Sequence, residues 1–474
     1  MKKGFMFYLG FFLLIIFGGF LVLLVILLFN PGQTVLGMQY FSYSESNIYQ
    51  KTTNATQTPL ELATADKYQK IEINVDYASV IVEKNEDYNK DGVVIVNNSK
   101  GFVLAREAVK WEYSVLVEGD TLKINVKEPA AFLFFSKDIR VIVHIAKKSA
   151  NPFTNTAFDI TTKSASVTIG GSEDSPYAYD FNVGDVKMTS EAGSLRITKR
   201  VNYESEGEKQ TFGNLLLSLG SGSFGPSAKK LVVNDFGFIS TSGSFAASRV
   251  DITNSGTVKT NSGTIKVEEI NGNLDIESQN GYFKFGKIVG NLNLPCADMK
   301  MDSSKFYIEE IDGDLTVIEG QNSNFEVKAV SGDVNMKLTS GTVKIGSGAE
   351  KYAAKSVVIT TTTGNITVYM AGDETYAKEL DSENGDVRFY LCGQVKGDVD
   401  VHTKTGRVFS YFMLGKSYTF TFSLYGSADA FNMKKVRFVD YPNVISTNPF
   451  VYNNDDVSNV KIYTNSNVEL ALFS

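Results

Sequence analysis

Glycine returns in a fixed phase through the middle of this chain, and that recurrence limits the fold more than any other feature. The unit is a small polar residue, Gly, any residue, then apolar, polar, apolar. Clear copies are Ser262-Gly263-Thr264-Ile265-Lys266-Val267, Asn271-Gly272-Asn273-Leu274-Asp275-Ile276 and Asn280-Gly281-Tyr282-Phe283-Lys284-Phe285. Gly263, Gly272, Gly281 and Gly290 follow one another at nine residues each. Later copies stand at Gly313, Gly332, Gly341, Gly364, Gly385, Gly397 and Gly406, and earlier ones at Gly193, Gly243 and Gly256. Ser304 and Ser323 take the glycine slot in SSKFYIEEI and NSNFEVKAV and keep the phase. Ile270, Ile288, Ile311 and Val330 each lie two residues before a slot, where the intervening copies are polar. Two nine-residue halves therefore make one repeat of about 18 to 19 residues with two short strands.

Each half alternates with the period of a sheet that buries one face, as in Ile265 with Val267 or Leu315 with Val317. Gly supplies the positive φ of a tight turn, and the polar residue before it can bond the turn backbone. One unit cannot bury its apolar face alone, whereas stacked coils bury a continuous core. The expected fold is all-β: a β-solenoid of two-strand coils behind one N-terminal transmembrane helix. A β-sandwich also has short strands and turns, but it needs no constant nine-residue step. Residues 67–150 carry longer strands without that step and read as a β cap over an otherwise open sheet edge. The expected organisation is 1–36, a cytoplasmic tip and the membrane helix; 37–66, a polar stalk; 67–150, the cap; 151–410, the repeats; and 411–474, an aromatic-rich β region.

From Phe5 to Phe29 the chain reads FMFYLGFFLLIIFGGFLVLLVILLF, without a single charge. About 20 apolar residues cross a bilayer, so this stretch spans with some tilt. A cleaved signal peptide is the alternative, with Val35 and Gly37 as a weak cleavage site; its apolar region is ordinarily about 7 to 15 residues. A lipoprotein box would need Cys where Met38 stands. Lys2 and Lys3 precede the span and no Lys or Arg follows before Lys51, which places the N-terminus in the cytoplasm and the rest outside.

Chemistry is restricted. The net charge is −7 and the basic residues are scattered, which excludes a phosphate-backbone binder, so no nucleic-acid partner is expected. Cys296 and Cys392 have no metal-ligand spacing; their pairing outside the cell stays open. His144 in VIVHIA and His402 in VDVHTK sit in alternating strands, where packing explains them. An acid and base pair could come from stacked carboxylates, Asp314 with Asp333 or Asp386 with Asp398. The same post-glycine slot, however, holds Asn273, Thr264, Thr342 and Asn365 elsewhere, which speaks of turn chemistry. No catalytic residue, metal or cofactor is expected.

The strands KIEINVDYASVIVEKNED, WEYSVLVEGDTLKINVKEP and IRVIVHIAKK, followed by copies such as SGDVNMKLTSGTVKIGSG, resemble the bacterial DUF4097 family over roughly residues 67–410. The resemblance implies an envelope-exposed stack of β coils, often behind a membrane anchor, adhesin-like or linked to envelope stress, with no agreed catalytic residues. The chain departs from the family by its long loops, Gly346–Lys355 and Gly372–Ser382, and by its aromatic C-terminal region. An adhesin-like binding or structural role at the bacterial cell envelope follows, with a β-helix enzyme on polysaccharide as the alternative. The expected partners are the membrane, through residues 5–29, and an envelope protein or glycan. Residues 409–474 hold 14 Phe and Tyr, and Tyr411, Tyr425, Tyr441 and Tyr452 are the expected contact residues, against an end cap as the plainer account.

Overall fold

The computed structural model describes residues 2–42, 45–48, 69–85, 92–104, 111–128, 133–146, 157–169, 184–197, 209–226, 230–297, 299–347, 356–370, 378–393, 398–440, 447–453 and 458–473. It forms two compact units, Met1–Gly184 with Met188–Asn202, and Asp185–Lys187 with Tyr203–Ser474.

In the first unit the apolar run is one helix, Lys2–Phe29. Its Met6–Phe29 portion has mean hydropathy 3.3, long and apolar enough to cross a membrane and compatible with an anchor or a signal sequence. Near the helix end Leu27 packs with Met38, Tyr40 and Phe102. Met38–Ser42, inside the stretch expected as stalk, is a strand paired antiparallel with Lys100–Leu104. The main sheet of this unit places Lys70–Val75 between Thr121–Lys127 and Ala157–Thr162, parallel to both. Ile139–Ala146 lies parallel to Ser79–Asn85 and antiparallel to Gly92–Asn97. Ile71, Ile73 and Val75 turn inward and are buried, as the alternation requires.

Stacked coils run through the second unit. Thr264–Asn271 pairs in parallel with Tyr282–Val289, and Leu274 stacks on Leu292. Asn293 donates to Asp275 of the coil before it, so the advance per coil here is 18. Inward columns run from coil to coil: Val250, Ile270, Ile288 and Ile311 in one, closed by a bridge from Ile311 to Val330. Ile270, Ile288, Ile311 and Val330 are the apolar positions two residues before the glycine slot, and all members of the column are buried. Another column stacks Phe283, Phe306 and Phe325, with ring centroids 4.6 Å apart at each step and planes within 5°.

The coil length is not constant. The advance is 23 from Leu292 to Leu315 and from Asp333 to Ser356, 19 from Lys305 to Asn324, and 21 from Ile366 to Val387. The expected repeat of about 18 to 19 residues holds only where both corners are tight. The longer advances leave the inward register of the flanking strands unshifted. Lys378–Ser382, expected within a long loop, is a wall strand paired with Val357–Thr361.

Glycine is required at the corners for two reasons, and neither belongs to one corner alone, since Gly341 shares the corner type of Gly385 yet has φ of 116°. At one corner, Gly272, Gly290 and Gly313 have φ of 130°, 135° and 157°, a region that side chains avoid. At the other, Gly385 and Gly406 need no positive φ; a Cβ at either would overlap the carbonyl of the preceding coil, Gly364 and Gly385 respectively. There a buried hydroxyl three residues earlier accepts from the glycine N–H: Thr260 for Gly263 at 2.8 Å, Thr361 for Gly364 at 2.9 Å, Ser382 for Gly385 at 2.9 Å and Thr403 for Gly406 at 3.1 Å. The turn is thus bonded chiefly from that position, rather than by the exposed residue just before the glycine.

Candidate functional site

Three of the carboxylates that an enzyme would need, Asp314, Asp386 and Asp398, are bound into the coil-to-coil framework. Asp314 Oδ1 accepts the N–H of Asp333 at 2.8 Å, and the N–H of Asp314 donates to Asn291 Oδ1 at 2.9 Å. Asn273 receives Asn291, Asn365 receives Asp386, and Asp386 receives Arg407, each at 2.9 Å. Asn and Asp serve alike because the bond asks only for a side-chain oxygen one coil below a backbone amide. Asp386 further faces Arg388 at 3.4 Å and Arg407 at 3.2 Å. Asp398 instead meets Lys461 and Asn459, and the Lys461 ammonium, with burial opposing it, holds the Asp398 carboxyl below its ordinary range. The structure therefore stacks Asp314 on Asp333 but leaves Asp386 and Asp398 in separate ion pairs. His402 stacks on Tyr463 at 4.4 Å. The side chain of His144 lies outside the described residues. Cys296 and Cys392 are not joined to each other by a disulfide; Cys392 is buried, and burial pushes the Cys296 thiol up. Among the described residues no group of three His, Cys, Asp or Glu converges as a metal site would require.

The aromatic residues divide between core and surface. Tyr418, Phe412, Phe420, Phe422, Phe438 and Phe450 are buried in the end of the solenoid. Tyr452 leans edge-on against Phe412, at 5.1 Å and 69°, so it belongs to that end packing. Tyr425 is half-buried, with its backbone N–H on Asn465 Oδ1 at 3.1 Å. Tyr441 lies outside the described residues. Tyr411 ends an outward column: Tyr369 on Tyr390 at 4.2 Å and Tyr390 on Tyr411 at 4.4 Å, with planes within 9°. Phe473 meets Tyr390 edge-on, and burial pushes the Tyr390 and Tyr411 hydroxyls up. Beside this column Phe409 lies under two guanidiniums, Arg388 at 4.6 Å and Arg407 at 5.1 Å. The equal spacing of the three tyrosines is in the sequence, but only the pairing register shows that it matches the coil.

A further concavity lies in the first unit: a groove of about 520 Å³. Asn125, Asn74 and Thr161 form its floor, in register across three parallel strands, with Thr189 beside them. Asn74 donates to Asn125 Oδ1 at 3.0 Å, and Lys163 pairs with Asp76 at 3.0 Å on the rim. Amides and hydroxyls with balanced rim charge suit a neutral, polyhydroxylated ligand better than a strongly charged one. The alternation of each strand predicts these residues as outward; it does not show that three strands bring them side by side.

No curated protein matches the chain. In structure it is similar to a Clostridium sporogenes protein described as a "putative cell adhesion protein", at 6% identity and TM-score 0.13, over 86% of this chain and 95% of that one. It is also similar to a Parabacteroides distasonis protein described as a "putative lipid binding protein", at 8% identity and TM-score 0.16, over 92% and 97%. Scores this low leave kinship to the sequence itself. The sequence profile of the family Toastrack DUF4097 matches residues 68–295 and 289–421, most of the chain, and the phased glycines and stacked coils lie within that range. The chain belongs to the Toastrack DUF4097 family.

Proposed function

We propose that this chain is a membrane-anchored, extracytoplasmic, adhesin-like β-solenoid with a binding or structural role at the bacterial cell envelope. One observation carries the reading: in each carboxylate pair that an enzyme would need, one member gives an oxygen to a backbone amide of the next coil, Asp314 to Asp333 and Asp386 to Arg407. An oxygen held by a backbone amide supports the wall and is poorly placed to take up and release protons. What stays open to solvent is recognition surface, namely the groove over Asn74 and Asn125 and the tyrosine column. The apolar helix with Lys2 and Lys3 before it supplies the anchor, N-terminus inside.

The test is retention of a soluble chain beginning at Asn30 on purified envelope material. Asn74→Ala with Asn125→Ala, and separately Tyr369→Ser, Tyr390→Ser and Tyr411→Ser together, should each weaken retention if their surface is the contact. Unchanged retention of both would refute the surfaces named here. Release of reducing ends from envelope polysaccharide, abolished by Asp314→Asn, would replace the whole reading with the enzymatic one.

A further inference from the structure

Chain order and stacking order part company at the end of the solenoid. Asp398–Thr403 and Val408–Met413 make one coil. The next wall strand in the chain, Tyr418–Ser423, does not rest on it. The last segment of the chain, Ser458–Thr464 and Val468–Phe473, lies between them, parallel to both. Val460 faces Val399 on one side and Phe420 on the other, and Ile462 lies between Val401 and Phe422. Likewise Val468 stands between Val408 and Val436.

With the terminal coil removed, Phe420 would face Val399 and Phe422 would face Val401, an advance of 21 in both cases. That is the advance of the coils just before, from Ile366 to Val387, from Val387 to Val408 and from Glu379 to Asp400. Phe420 and Phe422 are buried in the present seat, and the same alternation would bury them in the direct one. Tyr418 also donates its hydroxyl to the Gly393 carbonyl at 2.9 Å, a tie to the corner that opens the 398–413 coil and independent of the terminal segment. Closing a coil over about 21 residues costs less chain entropy than closing one over about 60.

We propose that Tyr418–Ser423 has two seats on the solenoid: a direct one on Asp398–Thr403, taken first, and the present one, reached when the terminal coil inserts between them. The terminal coil is then a displaceable layer and the slot it fills is a strand-insertion site.

Outward positions report the seat. Asp400 faces Lys461, which faces Thr421. Cysteines at 400 and 421 are two strand spacings apart in the complete chain, about 9 to 10 Å, too far for a disulfide, but adjacent in the direct seat. Asp400→Cys with Thr421→Cys is made in the complete chain and in a chain stopped after Asn453. Both are oxidised mildly, and the bond is mapped by mass spectrometry against Cys296 and Cys392. Asp400→Cys with Lys461→Cys in the complete chain is the positive control. The expected result is a 400–421 bond at least five-fold more abundant in the stopped chain, with its β circular-dichroism spectrum kept. Adding a synthetic peptide of residues 458–473 before oxidation should suppress that bond at least five-fold. An unfolded stopped chain, a folded one without the bond while the control forms, equal bonding in both chains, or no effect of the peptide overturns the proposal.

Discussion

Replacing Phe306 tests whether the solenoid core works as a one-dimensional column. Phe306 is fully buried, with Phe283 stacked on one side and Phe325 on the other, each at 4.6 Å. Beyond Phe283 the column continues with Ile265, and beyond Phe325 with Val343. Phe306 therefore has two stacked ring partners along the column, and Phe325 has one. A stacked pair contributes about 0.5 to 1.5 kcal/mol beyond its area, and a Phe to Leu change in a packed core costs about 1 kcal/mol more through shape. Phe306→Leu should then cost about 2 to 4 kcal/mol and Phe325→Leu about 1.5 to 2.5 kcal/mol. Phe306→Leu and Phe325→Leu should couple by about 1 kcal/mol, whereas Phe283→Leu and Phe325→Leu, separated by Phe306, should add without coupling. Urea unfolding of the soluble chain, followed by far-ultraviolet circular dichroism, gives each value, with the denaturant slope checked for constancy. Equal penalties for Phe306→Leu and Phe325→Leu, or strong coupling between Phe283 and Phe325, would refute nearest-neighbour stacking as the source of stability.

Gly332→Val should cost about 1 to 3 kcal/mol, because its Cβ would press on the Gly313 carbonyl, while Asp333→Asn, which is exposed, should stay within about 0.5 kcal/mol; equal melting shifts would contradict the corner assignment. Burial alone would raise the Asp251 carboxyl, but hydrogen bonds from Lys230, Arg249 and Asn271 outweigh it and hold the group below its ordinary range. The unfolded carboxyl then takes up its proton at higher pH than the folded one, so its stabilisation is complete above the ordinary carboxylate range and is lost as pH falls through and below it. Thermal melts between about pH 5 and pH 3 should fall less steeply for Asp251→Asn than for the parent chain, and identical slopes would contradict this. A protease added outside intact cells should degrade everything beyond about Gly32 and spare a short N-terminal fragment; protection of the β region would contradict the orientation proposed.

The wall was legible in the sequence because its two demands are local. Alternation marks which side chains turn inward, and the nine-residue phase marks the corners, so Ile265, Leu274, Phe283 and Leu315 fall in the core where expected. The hydroxyl three residues before glycine was equally visible, in Thr260, Ser382 and Thr403, but its role depends on a bond across a turn that no periodicity discloses. The longer coils, from Leu292 to Leu315 and past Ile345, depart from the nine-residue step, so a repeat of about 18 to 19 residues did not foretell them. The out-of-order terminal coil was hidden as well: Val460, Ile462 and Val468 look like any rung, and nothing local records which rung they touch. The groove and the tyrosine column depend on register between segments far apart in the chain, so only the pairing of Asn74 with Asn125, or of Tyr390 with Tyr411, reveals them.

The unequal corners have a consequence for how such a chain can change over generations. Ten residues separate Leu294 from Lys305, and ten separate Ile345 from Ser356, yet the columns on either side stay in line. An insertion or deletion at a corner is therefore invisible to the wall, whereas a one-residue change within a strand would turn the rest of that strand's side chains to the wrong face. Mutation is thus channelled toward the rim. A lineage under pressure to alter what it displays can lengthen, shorten or replace corner segments while inheriting the framework unchanged, and an epitope or affinity tag grafted between Ile345 and Ser356 would use the same freedom.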